Sequence, residues 1–247
     1  MLNKRFIISA VVGSVLAACT LVAGASVMLG GTRVIIGEKD RQASIPLKNT
    51  GSSPYVVQTW IDAGEGKNKA PLLVTPPLSR LDPGAENILR IVRISNDLPS
   101  DRESVFWLNV KEIPEKSDQP NVLQIAVRTR IKVFYRPAGL AGKPDEARSL
   151  ITLAVVAAED GKGAALRVNN PSAYNITFTG FKINGGKEQT KAGMVPAFGA
   201  MDFPLTAISS PQPVDVSYTT INDYGGETPE VVTKAAVASA TPAAAGK

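Results

Sequence analysis

The chemistry open to this chain is bounded first by what it lacks. Histidine is absent from all 247 residues, and Cys19 is the one cysteine. Without imidazole there is no side chain that ordinarily titrates near neutrality, no histidine-activated nucleophile and no histidine metal ligand. No phosphate-cradling P-loop pattern occurs. Carboxylates are present, but nothing in their spacing nominates a pair for glycoside chemistry. The expectation is therefore a protein that is not an enzyme, with no catalytic residue, no cofactor and no metal. What remains is binding chemistry carried by cations and apolar strands.

The stretch best suited to binding is Asn121–Pro137. Leu123, Ile125 and Val127 alternate with Gln124, Ala126 and Arg128, so the three aliphatics share one face of a strand. The whole run is long for a strand, which usually holds about 3–10 residues. Two readings stay open. On periodicity alone the simpler one is that these side chains fill the chain's own core. The other is donation: the strand completes a partner's sheet and its aliphatics enter the partner's core. Each such burial is worth about 1.5–3 kcal/mol of gross driving force, offset in part by ordering and association.

The elements that must carry these residues are strands. Short β-branched or aromatic runs recur between Pro, Gly, Asn and Asp: 32–36, 55–61, 87–95, 105–110, 123–135, 150–156, 164–168, 175–183 and 214–221. That rhythm predicts an all-β chain of sandwiches or barrels. Asp82-Pro83-Gly84 reads as a turn. In Thr75-Pro76-Pro77 one X-Pro bond could be cis, although an ordinary trans loop is the expectation.

Organisation follows from composition. Residues 1–25 read as a secretory signal peptide: Lys4 and Arg5, an apolar run from Phe6 to Leu21, then Ala23-Gly24-Ala25, with cleavage after Ala25. An uncleaved anchor and a lipidated Cys19 in Leu16-Ala17-Ala18-Cys19 are the other readings. Cleavage after Ala25 leaves no cysteine for a disulfide and lowers the formal charge from +5 to +3 by removing Lys4 and Arg5. So mild a charge gives no reason to expect nucleic acid, and no stable membrane insertion is expected of the mature chain. The boundaries read as a first domain over 26–137, a Gly/Pro-containing linker over 138–147 and a second domain over 148–232. Residues 233–247, rich in Ala and Pro, are expected to form a disordered tail or a short terminal helix.

Five segments, in order, resemble the periplasmic chaperones of the chaperone–usher pathway. They are Gly31-Thr32-Arg33-Val34-Ile35, Pro54–Trp60, Thr75–Gly84, Asn121–Pro137 and Ile221-Asn222-Asp223-Tyr224-Gly225-Gly226. The resemblance spans about residues 29–227. It implies two immunoglobulin-like sandwiches at an angle with a cleft between them, in the periplasm. It further implies an ATP-independent chaperone that folds pilus subunits by donor-strand complementation and hands them to an outer-membrane usher. An exported immunoglobulin-like binding or structural protein with a non-pilus client is the other reading.

The resemblance also assigns roles. Arg33 and Lys132 match the residues that bind the subunit's C-terminal carboxylate. Leu123, Ile125 and Val127 match the donated aliphatics. Glu103, Arg136 and Asp223 match an ionic network joining the domains. Between Pro114 and Leu123 lie only Glu115 to Val122, which is similar to the short-loop branch. Arg33 becomes the eighth mature residue if cleavage follows Ala25, which suits the resemblance. Lys132 has the opposite parity to the three aliphatics, so either a bulge or a pocket around the strand end is expected between them. A free chaperone could also cap itself as a homodimer through its exposed strand.

Overall fold

The computed structural model describes residues 26–64, 69–116, 123–159, 161–190 and 193–238. The expected signal peptide, Cys19 and the end of the expected tail lie outside these residues. No helix among the described residues is long and apolar enough to cross a membrane.

Period-two burial organises the first half. A four-stranded sheet runs β1 (Val27–Leu29), β3 (Ala43–Asn49), β7 (Glu86–Arg93), β5 (Leu72–Thr75) in spatial order. A five-stranded sheet runs β2 (Arg33–Gly37), β9 (Arg128–Arg136), β8 (Ser104–Pro114), β4 (Tyr55–Asp62), β6 (Leu78–Leu81). Leu47, Leu89 and Ile91 from the first sheet meet Ile36, Leu108 and Val133 from the second in a fully buried core. That is the face-to-face packing of a β-sandwich.

The amino-terminal strand changes sheets. β1 pairs with β3, whereas β2, three residues further on, pairs in parallel with β9. At the crossing, Gly30 N–H donates to the Pro46 carbonyl at 2.9 Å. A Cβ on Gly30 would collide with the Pro46 ring, so the crossover needs glycine. As a result β2 covers β9 only from Lys132 onward. Among the described residues no strand pairs with that edge of β9 before Lys132.

The second half holds β10 (Thr152–Ala157), β11 (Ala164–Asn170), β12 (Ile176–Ile183), β13 (Glu188–Thr190), β14 (Gly193–Val195), β15 (Gly199–Leu205), β16 (Val214–Thr220) and β17 (Val231–Val237). They follow one hydrogen-bonded path, β13-β12-β16-β17-β10-β11-β15, with β14 also on β12. Phe178, Phe181, Phe203 and Tyr218 pack at its centre, with ring centroids 4.8–5.8 Å apart. A short helix α1 (Pro144–Ala147), with proline at its start, leads into this domain and buries Ala147 in its core.

Three expectations need correction. The second domain does not stop at Val232, because β17 runs to Val237 between β16 and β10. Ala235, fully buried there, shows why an alanine-rich segment suffices: a strand filling a narrow gap is held by ladder hydrogen bonds and needs little side chain. Thr75–Pro76 is cis, not trans. Finally, the long strand expected over 123–135 begins only at Arg128; residues 123–127 are extended from the sheet without ladder partners assigned to them.

Candidate functional site

Everything singled out in the sequence converges on β9 and its amino-terminal extension. The pairing of β9 with β8 is continuous from Arg128 to Tyr135 with no register shift, so alternate residues take opposite faces throughout. Ile131, Val133 and Tyr135 enter the first core. Arg128, Arg130, Lys132, Phe134 and Arg136 face outward. The parity difference between Lys132 and the three aliphatics is thus real, and no bulge in β9 removes it. Leu123, Ile125 and Val127 continue the core-facing parity beyond the point where the core ends.

The core reading of those aliphatics does not hold. Leu123 is 85% and Ile125 70% exposed, and Val127 is partly buried. One backbone hydrogen bond, Glu112 N–H to the Val127 carbonyl at 2.9 Å, ties the segment to β8. Gln124 also reaches back, through its amide, to the Glu115 carbonyl. Leu123 and Ile125 therefore stand on an unpaired extension of a sheet edge.

At the other end of that open edge are two cations. Arg33 and Lys132 are directly paired across β2 and β9, which puts both side chains on one face. Arg33 donates from Nη1 to the Ile221 carbonyl at 3.2 Å and lies over the Phe134 ring, 5.6 Å from its centroid. Its Nε is buried without a hydrogen-bond partner. Lys132 Nζ sits 5.5 Å from the Trp107 ring centroid. Burial, and next the neighbouring Arg33 charge, hold the Lys132 ammonium below the ordinary lysine value. Burial likewise lowers Arg33, against the pull of Asp223 and Glu103. Two adjacent cations whose charged forms are disfavoured make a place where an anion is stabilised.

Phe134 is only 2% exposed yet belongs to neither sandwich core. Its place in the cleft, beside Arg33, Arg136, Tyr174, Ile221 and Asp223, accounts for that. The cavity these residues line is small, about 40 Å³.

Arg136 is placed between two carboxylates. Nε and Nη2 donate to Glu103 Oε1 at 3.0 and 2.9 Å, while Nη1 and Nη2 donate to Asp223 Oδ2 and Oδ1 at 2.7 and 2.9 Å. Asp223 sits in the turn after β16. There Asn222 Oδ1 accepts from the Tyr224 and Gly226 amides, and Gly225 has φ +84°. A Cβ on Gly225 would strike Thr32, so this turn lies close against the first domain. Glu103 is 4% exposed. Its Oε2 accepts from the Asn175 backbone and side-chain amides at 3.0 and 3.2 Å, and its N–H donates to the Ala173 carbonyl. Burial pushes the Glu103 carboxyl up, against Arg136 and Asn175. Since each of these carboxylate partners is a donor, the ionised form is the one the site holds. For Arg136, burial would lower the guanidinium, but Asp223 and Glu103 together raise it well above its usual value.

Sequence reasoning missed several participants. Asn175, Phe134 and the Ile221 carbonyl carry no local signature, since their parts depend on the contact between domains. Trp60, Asp62, Trp107 and Asn109 lie on the outward face of β4 and β8 beside Arg128 and Arg130. The alternation within 55–61 and 105–110 could have marked them as a second, polar–aromatic face.

Residues 26–141 match the family described as pili and flagellar-assembly chaperone, PapD N-terminal domain. Residues 146–232 match pili assembly chaperone PapD, C-terminal domain. The probable fimbrial chaperone LpfB of Escherichia coli O157:H7 is 45% identical over 239 residues, covering 95% of this chain and 97% of that one. Chaperone protein FimC of Escherichia coli strain K12 is 37% identical, covering 85% and 84%. Among solved structures, the YadV chaperone aligns with TM-score 0.73 at 33% identity, over 85% of this chain and 100% of that one. The SafB chaperone of Salmonella enterica, solved in complex with the SafA pilin, aligns with TM-score 0.71 at 28% identity, over 84% and 95%.

Proposed function

This chain belongs to the PapD-like pilus-assembly chaperones, and from that premise we propose that it caps a fimbrial subunit by lending it the edge of β9. It works in the periplasm, after a signal peptide is removed behind Ala25. The observation that carries the reading is the open edge itself: exposed Leu123 and Ile125 at one end, and the unneutralised pair Arg33 and Lys132 at the other.

The two faces of the strand divide the task. The subunit's last strand runs along residues 123–131 and takes up the free backbone groups. Leu123, Ile125 and Val127 enter the groove left by the strand the subunit lacks. The subunit's terminal carboxylate meets Arg33 and Lys132. The arginine fork and the lysine point charge form charge-assisted hydrogen bonds with it. Arg33 also stands where β2 begins to occupy the edge of β9, so the subunit strand cannot run further. Binding and stopping are then one event. The capped subunit cannot aggregate through its open groove, and passes to an outer-membrane usher where the next subunit's extension replaces β9. Strand exchange replaces one set of contacts by another and needs no nucleotide.

Co-purification from periplasm tests the proposal. Wild-type protein is expected to carry a fimbrial subunit that is lost from Lys132→Ala. Equal recovery with both proteins would refute the carboxylate role, and no subunit with either would refute subunit capping.

A further inference from the structure

Lys132 is not the first cation the subunit strand would meet. β9 presents Arg128, Arg130 and Lys132 on one outward face, spaced by two residues, or roughly 6.6 Å per step. A slip of two residues preserves the parity of a strand, so it would leave the apolar face of the pairing correct. Parity therefore gives no protection against docking one or two steps short, and three equivalent cations would offer three stopping points.

They are not equivalent. Arg130 Nη2 donates to Asp62 Oδ1 at 2.7 Å, and Arg128 Nη2 lies 3.6 Å from Asp62 Oδ2. Arg128 also donates from Nε to Asn109 Oδ1 at 2.9 Å. Asp62 is held in turn: the Gly64 amide donates to Oδ1 at 2.9 Å and Asn109 Nδ2 to Oδ2 at 2.8 Å. Aromatic faces fix both guanidinium groups, with Arg130 4.1 Å from the Trp107 centroid and Arg128 5.0 Å from that of Trp60. Lys132 shares Trp107 but has no carboxylate among the described residues. Asp62 itself is 8% exposed. Burial would raise its carboxyl, but Arg130, the Gly64 amide and Asn109 more than offset this and hold it below the usual range. It therefore stays ionised wherever the subunit carboxylate is.

We propose that Asp62 determines register: by neutralising Arg128 and Arg130 it leaves Lys132, with Arg33, as the one place on this face of β9 where a carboxylate docks. Asp62 is a positioning residue that need not touch the subunit. The proposal rests on the reading of Arg33 and Lys132 as the carboxylate site.

Register is read by disulfide capture, since Cys19 is the chain's one cysteine and precedes residue 26. The probe is the fimbrial subunit recovered with the wild type, carrying one cysteine placed to bond with Ala126→Cys. Ala126 and Gln124 are both exposed and share a face; a two-residue slip moves that subunit cysteine from position 126 to position 124. In the wild-type background capture at 126 is expected. In Asp62→Asn, capture should split between 126 and Gln124→Cys. Adding Asp62→Asn to Lys132→Ala should restore at least about tenfold of the lost subunit, captured at 124, because Arg130 is freed to make charge-assisted bonds. Should Asp62→Asn not accumulate, Asp62→Asn/Arg128→Gln strands one guanidinium instead of two and puts the same question to Arg130. Capture at 126 alone, with no rescue of Lys132→Ala, overturns the proposal. Undiminished subunit binding by Lys132→Ala itself would instead overturn the carboxylate reading beneath it.

Discussion

Arg136 and Lys132 lie four residues apart on the same face of the same strand, and their surroundings differ in one respect. Arg136 has a carboxylate from each domain and four hydrogen bonds to them. Lys132 has an aromatic ring, another cation and no carboxylate among the described residues. The first cation is satisfied by the fold, and the second is left to a partner. Charge alone does not mark a binding residue here; charge without a built-in counterion does.

The sharpest way to break this contrast is to remove both unsatisfied cations. Arg33→Ala/Lys132→Ala is expected to lose about 3–6 kcal/mol of subunit binding, taking about 1.5–3 kcal/mol per charged hydrogen-bonding group. Subunit recovered per chaperone would measure it, while the urea midpoint of the free protein should not fall. Arg136→Ala should show the opposite pattern. It strands the buried Glu103, and removing one partner of a buried pair costs about 3–5 kcal/mol, read as a lowered urea midpoint. Arg136→Met/Glu103→Gln, which strands less charge, should recover part of that loss.

The exposed aliphatics sharpen the comparison at a smaller scale. Ile125→Ser should weaken subunit capture by about 1.5–3 kcal/mol yet shift the stability of the free chain by no more than about 0.5 kcal/mol. A large fall in stability would mean that Ile125 belongs to the chaperone's own core after all. The smallest effect is a pH dependence. The folded chain holds Lys132 below its unfolded value, so between the two the unfolded chain binds more protons. Stability of the free protein therefore rises with pH through that window, below about 10.4. Lys132→Met should lack that rise, and in the wild type subunit binding should weaken over the same window as the ammonium is lost.

The strand rhythm was legible because burial alternates with sequence. Tyr55–Ile61, Asn87–Ser95 and Val214–Ile221 nearly coincide with β4, β7 and β16. β3 contains Pro46, and β17 is built largely of Val, Thr and Ala, so both lacked the bulky pattern that announces a strand. Periodicity also could not say what covers a face. Ile125 and Val133 have the same parity on one chain segment, yet one is exposed and the other fully buried. The difference is whether the opposing sheet reaches that far. The juxtaposition of Arg33 with Lys132 is a matter of parallel register between distant segments, which no local pattern encodes; it entered only through the resemblance. Asp62 went unnoticed for a related reason, because its partners come from two other strands.

The uninterrupted pairing of β9 has a bearing on how such a protein can change by descent. From Val127 to Lys132 the spacing is fixed in whole residues, five of them, or roughly 17 Å of strand. Substitutions can alter what the pegs on either face prefer, one at a time. A single inserted residue would swap the faces, and a pair would lengthen the gauge by a full step. The edge should therefore drift in side chains while remaining frozen in length, and any tail that fits it inherits the same ruler.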